Sequence, residues 1–256
     1  MKYLVKINHE YPPFLTTTLV IGILGTFLSS CSQYDRAEDN KSPEALFRVA
    51  ESLRASGDYP SAARLYDQAV TANPKYSQAR MGLGKTLRTT QDYDEAITVF
   101  KDELIHNPKS PEALMELGKT YINANMGEDG IQNYGQLLEI NSNDPWALNG
   151  LAICHDLCGR HTQAHEYYEK ALHELPNNLN IQSNYGLSLA LGGKHDESIE
   201  FLEKVKNTVT PTPNLRHNLA VAYAFAGKHD KSRDLFAKDL SPVDVEHNLS
   251  SLMMSS

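Results

Sequence analysis

The sequence predicts an all-α chain: a solenoid of six helical hairpins on a 34-residue period, closed by one further helix. Three observations lead there. The stretch Leu83-Gly84-Lys85-Thr86 returns as Leu117-Gly118-Lys119-Thr120, 34 residues on. Laid out from Pro43 in steps of 34, the chain needs no insertion or deletion through Glu246. In that register the eighth position is always small (Ala50, Gly84, Gly118, Ala152, Gly186, Ala220), and so is the twentieth (Ala62, Ala96, Gly130, Ala164, Ser198, Ser232). The twenty-fourth is always bulky (Tyr66, Phe100, Tyr134, Tyr168, Leu202, Phe236). Two antiparallel helices can approach closely where small residues face each other, with large side chains filling the space beside them.

Residues 1–30 stand outside the period. Lys2 and Lys6 precede the apolar run "LTTTLVIGILGTFL" (15–28). That run is shorter than the ~20 residues of a membrane-spanning helix and has the length of a secretory signal. It ends in Leu28-Ser29-Ser30-Cys31, which resembles the lipobox of bacterial lipoproteins, where cleavage leaves an acylated cysteine. An ordinary signal peptide with a chance cysteine is the alternative. Ser32 follows Cys31 where an inner-membrane-retained lipoprotein would carry aspartate, so the resemblance implies the outer membrane. Residues 31–42 are then the lipidated cysteine and a polar tether, with too little apolar surface to fold.

The repeats follow at 43–76, 77–110, 111–144, 145–178, 179–212 and 213–246. In each, a first helix ends at a turn such as "SGDY" (56–59), "GGKH" (192–195) or "AGKH" (226–229), where Gly57, Gly193 and Gly227 can terminate it. Pro74, Pro108 and Pro176 stop second helices, with Ser142 and Thr210 in their place elsewhere. Proline then opens four of the six repeats, in a first-turn position where its missing N–H is harmless. A single hairpin cannot bury its own apolar face, so neighbours must stack. Residues 241–256 form the closing helix and tail: Ser241 caps it with Asp244 three residues on, and Val245, Leu249 and Leu252 supply one apolar stripe.

This pattern resembles the tetratricopeptide repeat family over 204 of the 256 residues. The family's aromatic at position four is absent. The resemblance implies that the first helices line a concave face through positions 2, 5, 9, 12 and 13. Those positions include Arg54, Lys85, Arg88 and Lys119 in repeats one to three. In repeats three to six they include Met115, Ile122, Trp146, Ile153, Leu157, Leu187, Leu191, Val221 and Phe225. Position six, which in some members of the family bonds a bound peptide's backbone, is Asn184 and Asn218. Lys85, Arg88 and Lys119 are expected to favour an acidic stretch of a partner, through contacts that weaken with salt. A wall this apolar marks a binding site, although some of its side chains can instead pack between adjacent helices.

Other chemistry is disfavoured. The Gly-Lys-Thr copies lack the earlier glycine of a phosphate-binding loop, having Ala79 and Ala113 there, so no nucleotide is expected. Cys154, His155, Cys158, His161 and His165 fall close together and could be read as a zinc site. Yet His161 recurs as His195 and His229, and Cys154 and Cys158 occupy positions held elsewhere by small residues. They read as packing residues, and a disulfide between them is disfavoured by direction. Neither a nucleophile elbow nor a His-Glu-x-x-His pattern occurs, so no enzyme activity, metal or cofactor is expected. The net charge of −8, one unit more negative once Lys2, Lys6 and Glu10 are removed, argues against nucleic acid.

The runs "NLAVAYAFAGKHDKSRDLF" (218–236) and "DLSPVDVEHNL" (239–249) resemble the C-terminal part of TadD-type lipoproteins of Tad (Flp-type, tight adherence) pilus systems. That resemblance implies an outer-membrane lipoprotein on the periplasmic face, assisting assembly of the pilus secretin as a pilotin does. The competing expectation is a periplasmic adaptor that recruits a protease or peptidoglycan hydrolase to the membrane. The repeats alone do not separate the two.

Overall fold

The computed structural model describes residues 42–254; the expected signal segment, Cys31 and the expected tether as far as residue 41 lie outside the described residues. Within that range the chain is all-α, with thirteen helices. The first helices of the repeats are α1 (Pro43–Ala55), α3 (Ser77–Thr89), α5 (Pro111–Asn123), α7 (Pro145–Leu157), α9 (Leu179–Leu191) and α11 (Pro213–Phe225). The second helices are α2 (Tyr59–Ala72), α4 (Tyr93–His106), α6 (Gly127–Ile140), α8 (His161–Glu174), α10 (His195–Thr208) and α12 (His229–Phe236), and α13 (Pro242–Met253) closes the chain. Two compact bodies are formed, one up to Glu95 and one from Ala96.

Local chemistry accounts for the helix starts. Ser42, Ser110, Asp144, Asn178 and Thr212 each accept a hydrogen bond from the backbone N–H three residues on, satisfying a donor that the helix leaves without an internal partner. All six first helices end alike. The residue at position fifteen has a left-handed backbone: Gly57, Gln91, Asn125, Gly159, Gly193 and Gly227, with φ between 59° and 86°. The next N–H bonds a carbonyl five residues back, as from Asp58 to Leu53 and from Lys228 to Tyr223, the Schellman closure. Three of these six positions were not singled out above, although the 34-residue spacing points to them.

In the first body, α1, α2 and α3 pack together, and the Tyr66 ring lies against Gly82, where a Cβ would come within 2.6 Å of it. In the second body the same arrangement sets Tyr134 against Gly118 and Gly150, and Leu202 against Gly186. Small residues at position twenty do more than leave room: Ser198 donates to the Gly186 carbonyl (2.6 Å) and Ser232 to the Ala220 carbonyl (2.7 Å), binding position twenty to position eight.

The last hairpin differs from the rest, because α12 has eight residues where the other second helices have fourteen. Asp239, just past α12, receives a hydrogen bond from Arg216 Nε of α11 (2.7 Å). Pro242 then disfavours helical backbone at Ser241. The chain turns there and starts α13, whose Ser241 hydroxyl accepts from the Asp244 N–H. Val245, Leu249 and Leu252 are buried against Leu219, Tyr223 and Phe236, so α13 covers the end of the stack. Among the described residues, no helix is long and apolar enough to cross a membrane.

Candidate partner-binding face

In the second body, first helices of adjacent repeats sit side by side and are joined by asparagine. Asn184 donates to Asn149 Oδ1 (3.1 Å), and Asn218 donates to the Ser183 carbonyl (3.0 Å) and hydroxyl (2.9 Å). Each bond runs from position six to position five of the preceding repeat. Asn218 is buried, which revises the expectation that its amide meets a partner's backbone: that amide joins α11 to α9. Ile153 and Val221, expected on the binding wall, are likewise core residues at 8% exposure. Ile153 packs in a cluster with Leu148, Tyr168 and Ile181, and Val221 in one with Leu219, Phe236 and Val245, whereas Leu187, at the same repeat position, stays half-buried.

The remaining expected residues stay accessible to different degrees. Trp146 is 47% exposed, while Met115, Ile122, Leu157, Leu187, Leu191 and Phe225 are half-buried. Leu157 packs near Gly127, with its Cβ 3.1 Å from where a glycine Cβ would stand. The His195 ring lies 5.8 Å from that of Phe225. Lys119 is paired with Glu116 at 2.9 Å, so its charge is compensated locally.

In the first body, Arg54 bonds Glu51 (2.8 Å) and the Tyr66 hydroxyl (3.3 Å), and Tyr66 donates to Glu51. Burial works to raise the Glu51 carboxyl, but hydrogen bonds from Arg54 and Tyr66, with the charges of Arg54 and Lys85, hold it below the usual carboxylate range. Arg54 thus belongs to a structural triad. Lys85 and Arg88 are half-buried on α3.

A buried polar hub in repeat four was not foreseen. Asp156 is 4% exposed; its Oδ1 lies 2.8 Å from His161 Nδ1 and accepts from the Ser188 hydroxyl (2.7 Å), and its Oδ2 accepts from the Tyr168 hydroxyl (3.1 Å). The carboxylate thereby ties together α7, α8 and α9. Neither Asp156 nor Ser188 stood out in the sequence, and His161 did so only as a recurrent residue of the repeat. Cys154 and Cys158 are thiols whose sulfurs pack against Gly130 and Gly127 of α6. Burial raises both ionisations; Cys158 adds to the effect at Cys154, as Glu128 does at Cys158. Neutral thiols in glycine notches are packing groups and poor nucleophiles.

A family model of the tetratricopeptide repeat matches residues 47–111, 83–145 and 158–214, more than half of the chain, and a second model of that repeat matches 213–238. The chain belongs to the tetratricopeptide repeat family. No curated protein matches it. Solved structures with the same fold include a tetratricopeptide repeat protein from Parabacteroides merdae, at 19% identity over 87% of this chain and 88% of that one, with a TM-score of 0.75. PilW, described as a widely conserved type IV pilus biogenesis factor, is 15% identical over 82% of this chain and 98% of its own, with a TM-score of 0.68. YrrB, a repeat protein with an unusual peptide-binding site, is 18% identical over 82% and 99%, with a TM-score of 0.54. At these identities the likeness is one of fold. As a tetratricopeptide repeat protein, the chain is a scaffold for protein–protein interaction, and its first-helix face is the candidate surface.

Proposed function

We propose that this tetratricopeptide repeat protein is a lipid-anchored scaffold on the periplasmic face of the bacterial outer membrane. There it captures a segment of a secretin and assists its assembly in a Tad (Flp-type) pilus, in the manner of a pilotin. The observation that carries this reading is the C-terminal run 218–249, whose resemblance to TadD-type lipoproteins extends past the last repeat into the closing helix. The resembling residues form one packed piece: Leu219, Tyr223, Phe236, Val245 and Leu249 share a core, and Asp239 ties to α11 through Arg216. The lipobox-like Leu28-Ser29-Ser30-Cys31 supports the anchor, and PilW supports the compatibility of this fold with pilus biogenesis.

Two experiments test the reading. Cys31→Ala should release the protein from the outer-membrane fraction, since firm anchoring needs the two or three acyl chains of a lipoprotein cysteine; sedimentation with that fraction at high salt would contradict it. Leu157→Asp with Leu191→Asp should abolish secretin capture in a pull-down, together with surface pili, while thermal melting shows a folded chain. A folded double variant that still captures and assembles the secretin moves the site off this face. Secretin assembly intact in the absence of the protein, with a periplasmic protease or peptidoglycan hydrolase mislocalised, would replace the pilotin reading with the adaptor one.

A further inference from the structure

The inference concerns the chemistry of the segment that the first-helix face takes, and rests on reading that face as the binding surface. Along α7, α9 and α11 the thirteenth position is Leu157, Leu191 and Phe225, and Leu187 stands at position nine of α9. All four are half-buried, and Leu187 and Phe225 pack on one core. Between them, position twelve is Ala190 and Ala224, at 1% and 6% exposure, so the floor of the strip is set by short side chains.

The charged side chains Asp156, Lys119, Lys194 and Lys228, around this strip, are paired within the chain. Asp156, the position-twelve residue of α7, is buried and has both oxygens bonded to Tyr168, Ser188 and His161. His161, His195 and His229 begin the second helices; the first is bonded to Asp156, the second lies against Phe225, and the Nδ1 of the third is buried without a hydrogen-bond partner. Lys194 and Lys228 in the neighbouring turns are paired with Glu197 (3.5 Å) and Asp196 (3.0 Å). Lys119, the basic member of this body's expected site, is paired with Glu116. A charge brought against the apolar strip would lose hydration, and the charged side chains at its border already have partners.

We infer that the strip selects an uncharged segment presenting large apolar side chains, and that its grip is insensitive to salt. This departs from the acidic, salt-sensitive stretch that the lysines and arginines of the sequence suggest; Lys85 and Arg88 belong to the first body. The occupant is therefore an amphipathic segment whose buried side is leucine- or phenylalanine-like and whose flanks carry serine, asparagine or alanine.

The test is calorimetric titration of the full chain in detergent at pH 8 with three synthetic peptides of about 15 residues, a length that spans several anchor positions. All three carry leucines at helical spacing; one is otherwise neutral, one has three glutamates in place of serines, and one has three lysines. The neutral peptide should bind with a Kd that changes less than about twofold between about 50 and 500 mM salt, and both charged peptides should bind at least about tenfold more weakly. Leu191→Lys, at a helix C-terminus that tolerates a cation, should switch the preference to the glutamate peptide, a gain that unfolding does not produce. Tightest binding of the glutamate peptide by the unaltered chain, weakening as salt rises, would overturn the inference, as would binding of none of the three. Secretin capture without the neutral-peptide preference leaves the proposed function standing and removes this inference; the preference without secretin capture does the reverse.

Discussion

Asn218 of α11 reaches back to Ser183 of α9, and its amide donates to both the carbonyl (3.0 Å) and the hydroxyl (2.9 Å) of that residue. The contact is buried, so a replacement that removes the donor leaves two acceptors without water. Asn218→Asp keeps the shape and places carboxylate oxygen against them. It should lower unfolding free energy by about 1–3 kcal/mol, read from denaturant midpoints, and unchanged midpoints would show that the bond contributes nothing.

Glycine has opposite meanings at two nearby places. A Cβ on Gly118 would lie 2.5 Å from Tyr134 Cζ, whereas one on Gly135 meets nothing within 4 Å. Tyr134 is 1% exposed and its rigid ring has nowhere to move. Gly118→Ala should destabilise by about 1–3 kcal/mol, while Gly135→Ala, inside α6, should stabilise by about 0.5–1 kcal/mol. Thermal melting of the two variants side by side checks the opposite signs.

Gln91 holds the left-handed position that glycine occupies in four of the other hairpins, with φ of 70°. A side chain in that conformation costs about 1–2 kcal/mol. Gln91→Gly should therefore raise stability by up to about 1 kcal/mol, once the greater freedom of the unfolded chain is subtracted. Gly159→Ala, at φ of 72°, should lower it. A Gln91→Gly variant that melts earlier would show that the side chain makes a compensating contact.

Alkaline pH should unfold the chain through its tyrosines. The Tyr66, Tyr168, Tyr185 and Tyr223 hydroxyls donate to Glu51, Asp156, Glu169 and Glu203. Burial first, and then these carboxylates, raise all four ionisations, that of Tyr223 to about 12. In the unfolded chain tyrosine loses its proton near pH 10, so above that value the folded state holds more protons and stability falls as pH rises. The stability is fully present below pH 10, and each tyrosine contributes a slope of about 1.4 kcal/mol per pH unit between its two values. Denaturant midpoints at pH 8, 10 and 11 should show the loss, and Tyr223→Phe should flatten it.

The sequence by itself determined the hairpins, their period and the closing helix, because caps, turn residues and helix stops act on the backbone within a few residues. Pro145 at a first turn, Gly193 at a left-handed turn and the small residues of positions eight and twenty carry their meaning locally, and repetition multiplies it. Only the tertiary structure decided which side chains of the expected face are available. Ile153 and Leu157 lie four residues apart on one helix and are both large aliphatic residues, yet the first is core and the second half-exposed: Ile153 packs with Leu148, Tyr168 and Ile181, while Leu157 is the last residue of the helix. Asn218 and Asp156 were consigned to internal bonds in the same way, by partners 35 and 32 residues distant. A bond across two helices depends on their rotation and spacing, which the packing of whole repeats sets and no short stretch of sequence encodes.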